Sequence, residues 1–124
     1  MSTTQTRPFT ILLVEDSPVQ QALTRRALED STLDADLRVV EDGVEALAYL
    51  KQQGEWAGDS APRPDIVLLD LNMPRMNGHE FLDKLKGDPE LANIPVTVLT
   101  TSSAEGDVTA SYARGANAFV TKPA

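Results

Sequence analysis

Cysteine is absent from the 124 residues, so neither a disulfide framework nor a thiolate metal site is available. The absence fits a reducing interior. Histidine is nearly absent as well, with His79 alone. No apolar run approaches the roughly 18–20 residues that a membrane span needs. The first eight residues, Met1 to Pro8, lack the apolar stretch of a secretory signal. Positive charge is scarce: eleven Lys and Arg stand against nineteen Asp and Glu, a formal net charge of −8. A nucleic-acid duplex repels such a surface unless a basic patch compensates, and no basic cluster is visible. These absences predict a chain in the cytoplasm with neither nucleic acid nor membrane as partner. The length suits one domain with a single core. A short tail, residues 1–8, precedes it, and the domain occupies residues 9–124.

What is present alternates regularly. Phe9 to Val14 (FTILLV) is nearly all apolar, as in a strand buried on both faces. Ser17 can cap a helix in which Pro18 takes the first position. Val19, Leu23 and Ala27, with Ala22 beside them, are expected to form its apolar stripe. Leu37 to Val40 reads as a second strand, and a helix after Gly43 is expected to turn Val44, Leu47, Ala48 and Leu50 inward. Gly54 to Pro64 is a loop. Ile66 to Leu69 is the purest strand and delivers Asp70 at its carboxyl end. Gly78 onward predicts a helix burying Phe81, Leu82 and Leu85. Pro95 to Leu99 is a fourth strand, Ser103 to Arg114 a weaker helix with Gly115 as its C-cap, and Ala118 to Val120 a fifth strand. Five strands strictly alternating with helices call for an α/β fold, a parallel sheet covered on both faces, because each parallel crossover requires a connecting helix.

Ligands of open sheets bind beyond the carboxyl ends of the strands. Glu15 and Asp16 follow the first strand, Asp70 the third, Thr100 the fourth and Lys122 the fifth. If these strands are neighbours, three carboxylates converge beside a hydroxyl and an ammonium. Such carboxylates repel one another unless a cation neutralises them. Oxygen donors alone favour a hard ion, of which Mg²⁺ is the abundant one. A carboxylate nucleophile, a metal and a cationic clamp together suit phosphoryl transfer.

Four ordered segments carry a resemblance: ILLVED from Ile11 to Asp16, IVLLDLNMPRMNG from Ile66 to Gly78, PVTVLTTS from Pro95 to Ser102, and GANAFVTKP from Gly115 to Pro123. In this order and spacing they resemble the signature segments of two-component response-regulator receiver domains. The resemblance implies a flavodoxin-like, doubly wound, five-stranded parallel sheet, with the family's final helix absent from this chain. It implies Asp70 as the phosphoacceptor, Asp16 as a direct Mg²⁺ ligand, Glu15 as its partner acting through water, and the backbone carbonyl of Asn72 completing the metal site. Thr100 would turn toward the phosphoryl group, Lys122 would pair with its oxygens, and Phe119 would be the aromatic switch position. It also implies a cis Lys122–Pro123 bond, a sensor histidine kinase as partner, and a homodimer in a longer chain. The Gly54 to Pro64 loop and the segment Asp88 to Asp107 resemble single-domain regulators that serve bacterial phytochrome kinases. Glu15 departs from the Asp that the family often has there, which changes reach more than charge.

Plainer readings exist for several of these residues. Asp16 alone could cap a helix, Asn72 could contribute only its backbone, Thr100 could be a strand terminus, and Phe119 could be a core aromatic without a switching role. His79, Arg25 and Arg26 read as solvated, and Trp56 as packing on the flank. Haloacid-dehalogenase phosphatases combine similar groups, but they carry the nucleophile after the first strand in an Asp-x-Asp motif. Here the order is Asp70-Leu71-Asn72. A flavin site would need a phosphate loop at the first strand-helix turn, which is missing. A binding module silent to phosphorylation would not need every chemical position filled. The expectation is therefore a phosphoacceptor, not a turnover enzyme.

Overall fold

Five short apolar runs become five strands. A computed structural model describes residues 9–32, 34–57, 61–71, 76, 78–100 and 105–121, with the backbone alone at 55, 100, 105–107 and 121. The strands are β1 (Phe9–Val14), β2 (Ala35–Val40), β3 (Ile66–Leu69), β4 (Val96–Thr100) and β5 (Ala118–Thr121). The helices are α1 (Pro18–Glu29), α2 (Gly43–Leu50), α3 (Gly78–Gly87) and α4 (Glu105–Ala113), with one 3₁₀ turn at Gly54–Trp56. The sheet order is β2-β1-β3-β4-β5, and every pairing is parallel.

That order decides where the helices lie. Parallel crossovers are right-handed, so the side on which a helix packs depends on the direction in which its connection steps along the sheet. The step from β1 to β2 runs opposite to those from β2 to β3, β3 to β4 and β4 to β5. Hence α1 covers one face, and α2, α3 and α4 cover the other. The main core lies on the three-helix face: Leu12, Val14, Val40, Val67, Leu69, Val96 and Val98 from the strands meet Ala46 and Tyr49 of α2 and Phe81, Leu82 and Leu85 of α3. Burying each large side chain there stabilises the fold by about 1.5–3 kcal/mol. Trp56 packs against this core, its ring meeting Tyr49 edge-on with centroids 5.1 Å apart, which agrees with the flank position read from the sequence. Tyr49 Oη donates to the Pro62 carbonyl at 2.8 Å, and burial pushes its phenol above the ordinary value.

The expected stripe of α1 and one residue of the expected stripe of α2 are corrected. In α1 the partly covered residues are Gln20, Gln21, Thr24 and Leu28, whereas Val19 and Leu23 are 66% and 58% exposed. Both faces have helical spacing, and packing chose the one with the small and amphipathic side chains. In α2, Leu47 and Leu50 pack against the core as expected, but Val44 is exposed, while Gly43, Ala46 and Tyr49 are buried. The cause is a close approach, because a Cβ on Gly43 would sit 2.9 Å from Cγ and Sδ of Met76. Only hydrogen fits there, so the glycine edge of the helix faces inward.

Candidate functional site

The sheet order places the site. At β1 the connections diverge, with β2 reached on one side and β3 on the other, so the turns that leave β1 and β3 separate above the sheet and form a crevice. Val14 is paired with Leu69, and the Asp70 N–H donates to the Val14 carbonyl at 3.1 Å. The next residues, Glu15 and Asp70, therefore leave adjacent strands side by side. Glu15 is held on its other flank, where its N–H donates to the Val40 carbonyl at 2.9 Å.

One carboxylate oxygen from each of Glu15, Asp16 and Asp70 lies within 4.8 Å of the other two. Glu15 and Asp70 are buried at 2% and 8% exposure, and Asp16 is exposed. Two buried carboxylates this close are costly unless hydrogen bonds or a cation offset their charge. Part of the compensation is local: the Ser17 N–H donates to Glu15 Oε2 at 3.3 Å. Three converging carboxylates also suit a divalent cation. Oxygen ligands of an octahedral ion with bonds of about 2.1 Å stand roughly 3–4.2 Å apart, which falls inside that 4.8 Å limit. The donors are all oxygen, without His or Cys, which fits a hard ion.

The turn that carries Glu15 and Asp16 is built by the start of α1. Ser17 is the N-cap, and its side chain accepts the Gln20 N–H at 3.3 Å. Pro18, at the first helical position, loses no hydrogen bond by lacking an N–H. The expected cap is thus Ser17, leaving Asp16 to the acidic cluster.

The other expected site residues divide. Thr100 is the last residue of β4, and its backbone pairs with Thr121 of β5. Phe119 is paired with Val98, is half-buried, and packs against the main core. Asn72, Lys122 and the Lys122–Pro123 bond lie outside the described residues. His79 is half-buried, with its Nδ1 shielded from solvent, and so is not the solvated side chain expected of it. The preceding Gly78 presses against the backbone of Asp70 and Leu71 and draws the first turn of α3 inward. Arg25 and Arg26 are exposed, and the 3.8 Å pair of Arg26 with Asp30 is a surface contact of little energetic weight.

Sequence reasoning missed three contributors. Gly78 sits so close that a Cβ there would lie 2.7 Å from Leu71 Cα and 2.8 Å from the Asp70 carbonyl oxygen, and its N–H donates to the Leu71 carbonyl at 3.0 Å. Asp42 is a buried acid that caps α2 by accepting the Glu45 N–H at 2.9 Å, while the Glu45 carboxylate accepts the Glu41 N–H at 2.8 Å. The Asp42-x-x-Glu45 spacing was a legible signal for a cap at this end, although Glu45 reaches the N–H of Glu41 and not that of the capping residue. Gln21 is the third: its Nε2 donates to the Glu15 carbonyl at 2.6 Å. Nothing in the local sequence marks that contact.

Comparison with known proteins is consistent with this geometry. Residues 11–124 match the family model described as the response regulator receiver domain. The chain is 47% identical over 122 residues to response regulator Rcp1 of Synechocystis sp., covering 98% of this chain and 82% of that protein. The crystal structure of the Mn²⁺-bound form of Rcp1 superposes with a TM-score of 0.86, covering 94% of this chain and 82% of that one. The phosphorylated cyanobacterial phytochrome response regulator RcpA gives 0.88 at 46% identity, covering 95% and 83%. The bacteriophytochrome response regulator AtBRR gives 0.86 at 44% identity, covering 96% and 85%.

Proposed function

Because this chain belongs to the receiver domains of two-component response regulators, with their flavodoxin-like fold, we propose that Asp70 is its phosphoacceptor and that a sensor histidine kinase is the donor. The observation that carries the assignment is the acidic cluster: Asp70 stands buried at the end of β3, the middle strand of the sheet, opposite the pair Glu15 and Asp16. A carboxylate oxygen of Asp70 attacks the phosphorus of a phosphohistidine, the P–N bond breaks, and its electron pair leaves with the imidazole. The acyl phosphate stays on Asp70.

Glu15, Asp16, Asp70 and the backbone carbonyl of Asn72 would hold the cation, and Mg²⁺ is the ion we assign. When bound, it supplies the positive charge that lets an anionic acceptor meet an anionic phosphoryl group. Lys122 pairs with phosphoryl oxygens, and Thr100 bonds to them while Phe119 follows into the vacated space, which biases a two-state surface toward partner binding. The Mn²⁺ form of Rcp1 and the phosphorylated form of RcpA support divalent-cation binding and phosphorylation by similarity. The names of RcpA and AtBRR favour a phytochrome-type kinase as the donor. We place the protein in the cytoplasm. Among the described residues no helix is long and apolar enough to cross a membrane. We also propose that the protein forms a homodimer.

Incubation with a small phosphodonor and Mg²⁺ should add one phosphoryl group by intact-mass measurement, and Asp70→Asn should abolish the addition. Label surviving in Asp70→Asn would place the acceptor elsewhere.

A further inference from the structure

The peptide plane between Glu15 and Asp16 is the one covalent link between the two metal-facing carboxylates that share a turn. Its orientation decides how the exposed Asp16 side chain is aimed, because rotating that plane swings the Asp16 Cα–Cβ bond relative to Glu15. Three contacts hold the residue on the Glu15 side. The Glu15 N–H donates to Val40, and Glu15 Oε2 accepts the Ser17 N–H at 3.3 Å. The third acts on the plane itself: the Glu15 carbonyl accepts from Gln21 Nε2 at 2.6 Å. Gln21 is in turn fixed by the helix, since its own N–H donates to the Ser17 carbonyl at 2.9 Å. It also lies on the half-covered face of α1, where its side chain is partly sheltered from water.

We propose that Gln21 is a positioning residue for the divalent-cation site, aiming Asp16 by clamping the carbonyl that precedes it. This rests on the reading of Glu15, Asp16 and Asp70 as the cation site. The amide reaches back six residues, from the second turn of α1 to the strand end, and carries no charge. It can therefore orient the turn without competing for the ion or adding to the negative charge of the cluster. Its geometry requires a donor at the tip of a side chain with two methylenes. Gln21→Met keeps the length and approximate shape and removes the donor.

A net hydrogen bond of ordinary strength corresponds to about a two- to tenfold effect. Calorimetric titration with Mg²⁺ alone should show the dissociation constant of Gln21→Met rising by about that factor. In phosphorylation with a small phosphodonor, the Mg²⁺ concentration giving half-maximal rate should rise in parallel, while the rate at saturating Mg²⁺ stays near that of the unaltered chain. Tyr49→Phe is the control. It removes another side-chain donor to a backbone carbonyl, that of Pro62, at the opposite end of the strands. It should lower thermal stability without changing Mg²⁺ affinity. If Gln21→Met binds Mg²⁺ as the unaltered chain does, or if Tyr49→Phe weakens binding equally, Gln21 has only a structural role and the proposal fails. If the unaltered chain itself binds no Mg²⁺, the cation-site reading fails instead.

Discussion

Replacing Gly78 with alanine sets two physical effects against each other within one residue. Helix propensity favours the change: Gly78 opens α3, and alanine is preferred in helices by about 1 kcal/mol. Packing opposes it. The new Cβ would stand 2.7 Å from Leu71 Cα, 2.8 Å from the Asp70 carbonyl oxygen and 2.8 Å from Leu71 Cδ2. Carbon atoms at optimal separation are about 3.5–4.0 Å apart, so the shortfall at Leu71 Cα is at least roughly 0.8 Å. Two of the three obstacles are backbone atoms and cannot rotate away. Either α3 backs off or the Asp70–Leu71 segment moves, and overpacking of this kind costs about 1–3 kcal/mol. Sterics should win by up to about 2 kcal/mol, lowering Tm by up to roughly 8 °C for a domain of this size.

The effect on the cation site should be larger than the stability loss suggests, because metal–ligand distances tolerate only about ±0.2 Å. A fall of about tenfold in Mg²⁺ affinity is expected, comparable with losses from disturbing groups that orient metal ligands. Gly87 provides a comparison at the other end of the same helix. Nothing lies within 4 Å of its would-be Cβ, so Gly87→Ala should gain about 0.5–1 kcal/mol and leave Mg²⁺ binding unchanged. Thermal melts and Mg²⁺ titrations of both variants test the reasoning. A Gly78→Ala protein as stable as Gly87→Ala, with unaltered affinity, would refute it.

Asp16→Ala should weaken Mg²⁺ binding more than Glu15→Ala, since direct coordination is proposed for Asp16 alone; equal losses by calorimetry would contradict that division. Lys86→Met should destabilise the fold by about 1–3 kcal/mol, because its ammonium donates to the Ala92 and Ile94 carbonyls at 3.0 and 2.9 Å, and denaturant melts read this directly. The Tyr49 phenol has its pKa raised above 10.0, chiefly by burial, so the native state holds its proton where the unfolded chain has released it. Its contribution is therefore fully present below pH 10 and is lost as pH rises through the folded value. Stability measured from pH 9 to 11 should fall less steeply in Tyr49→Phe than in the unaltered chain, and parallel curves would exclude the phenol as a cause.

The strands and the carboxylates at their ends were legible in the sequence because both are short-range properties. A buried parallel strand must be apolar throughout, so runs such as Ile66 to Leu69 mark themselves, and the first polar residue after each run marks the crevice side of the sheet. Glu15, Asp16 and Asp70 followed from that rule alone once β1 and β3 were taken as neighbours. The Ser17-Pro18 pair likewise announced the start of α1, because capping uses atoms within three residues. Tertiary structure decided whatever depends on residues distant in sequence. Val19–Leu23–Ala27 and Gln20–Thr24–Leu28 are both valid helical stripes, and which one turns inward depends on the sheet face beneath α1. Val44 lost its inward place to Gly43 because Met76, thirty-three residues later, fills the space a side chain would need. Gly78 could be read as a turn residue, but its contact with the Asp70–Leu71 backbone exists only after β3 and α3 have docked. The clamp of Gln21 on the Glu15 carbonyl spans only six residues, yet it too waits on tertiary structure. Its donor reaches that oxygen only when β2 holds one side of Glu15 and α1 lies against the sheet on the other.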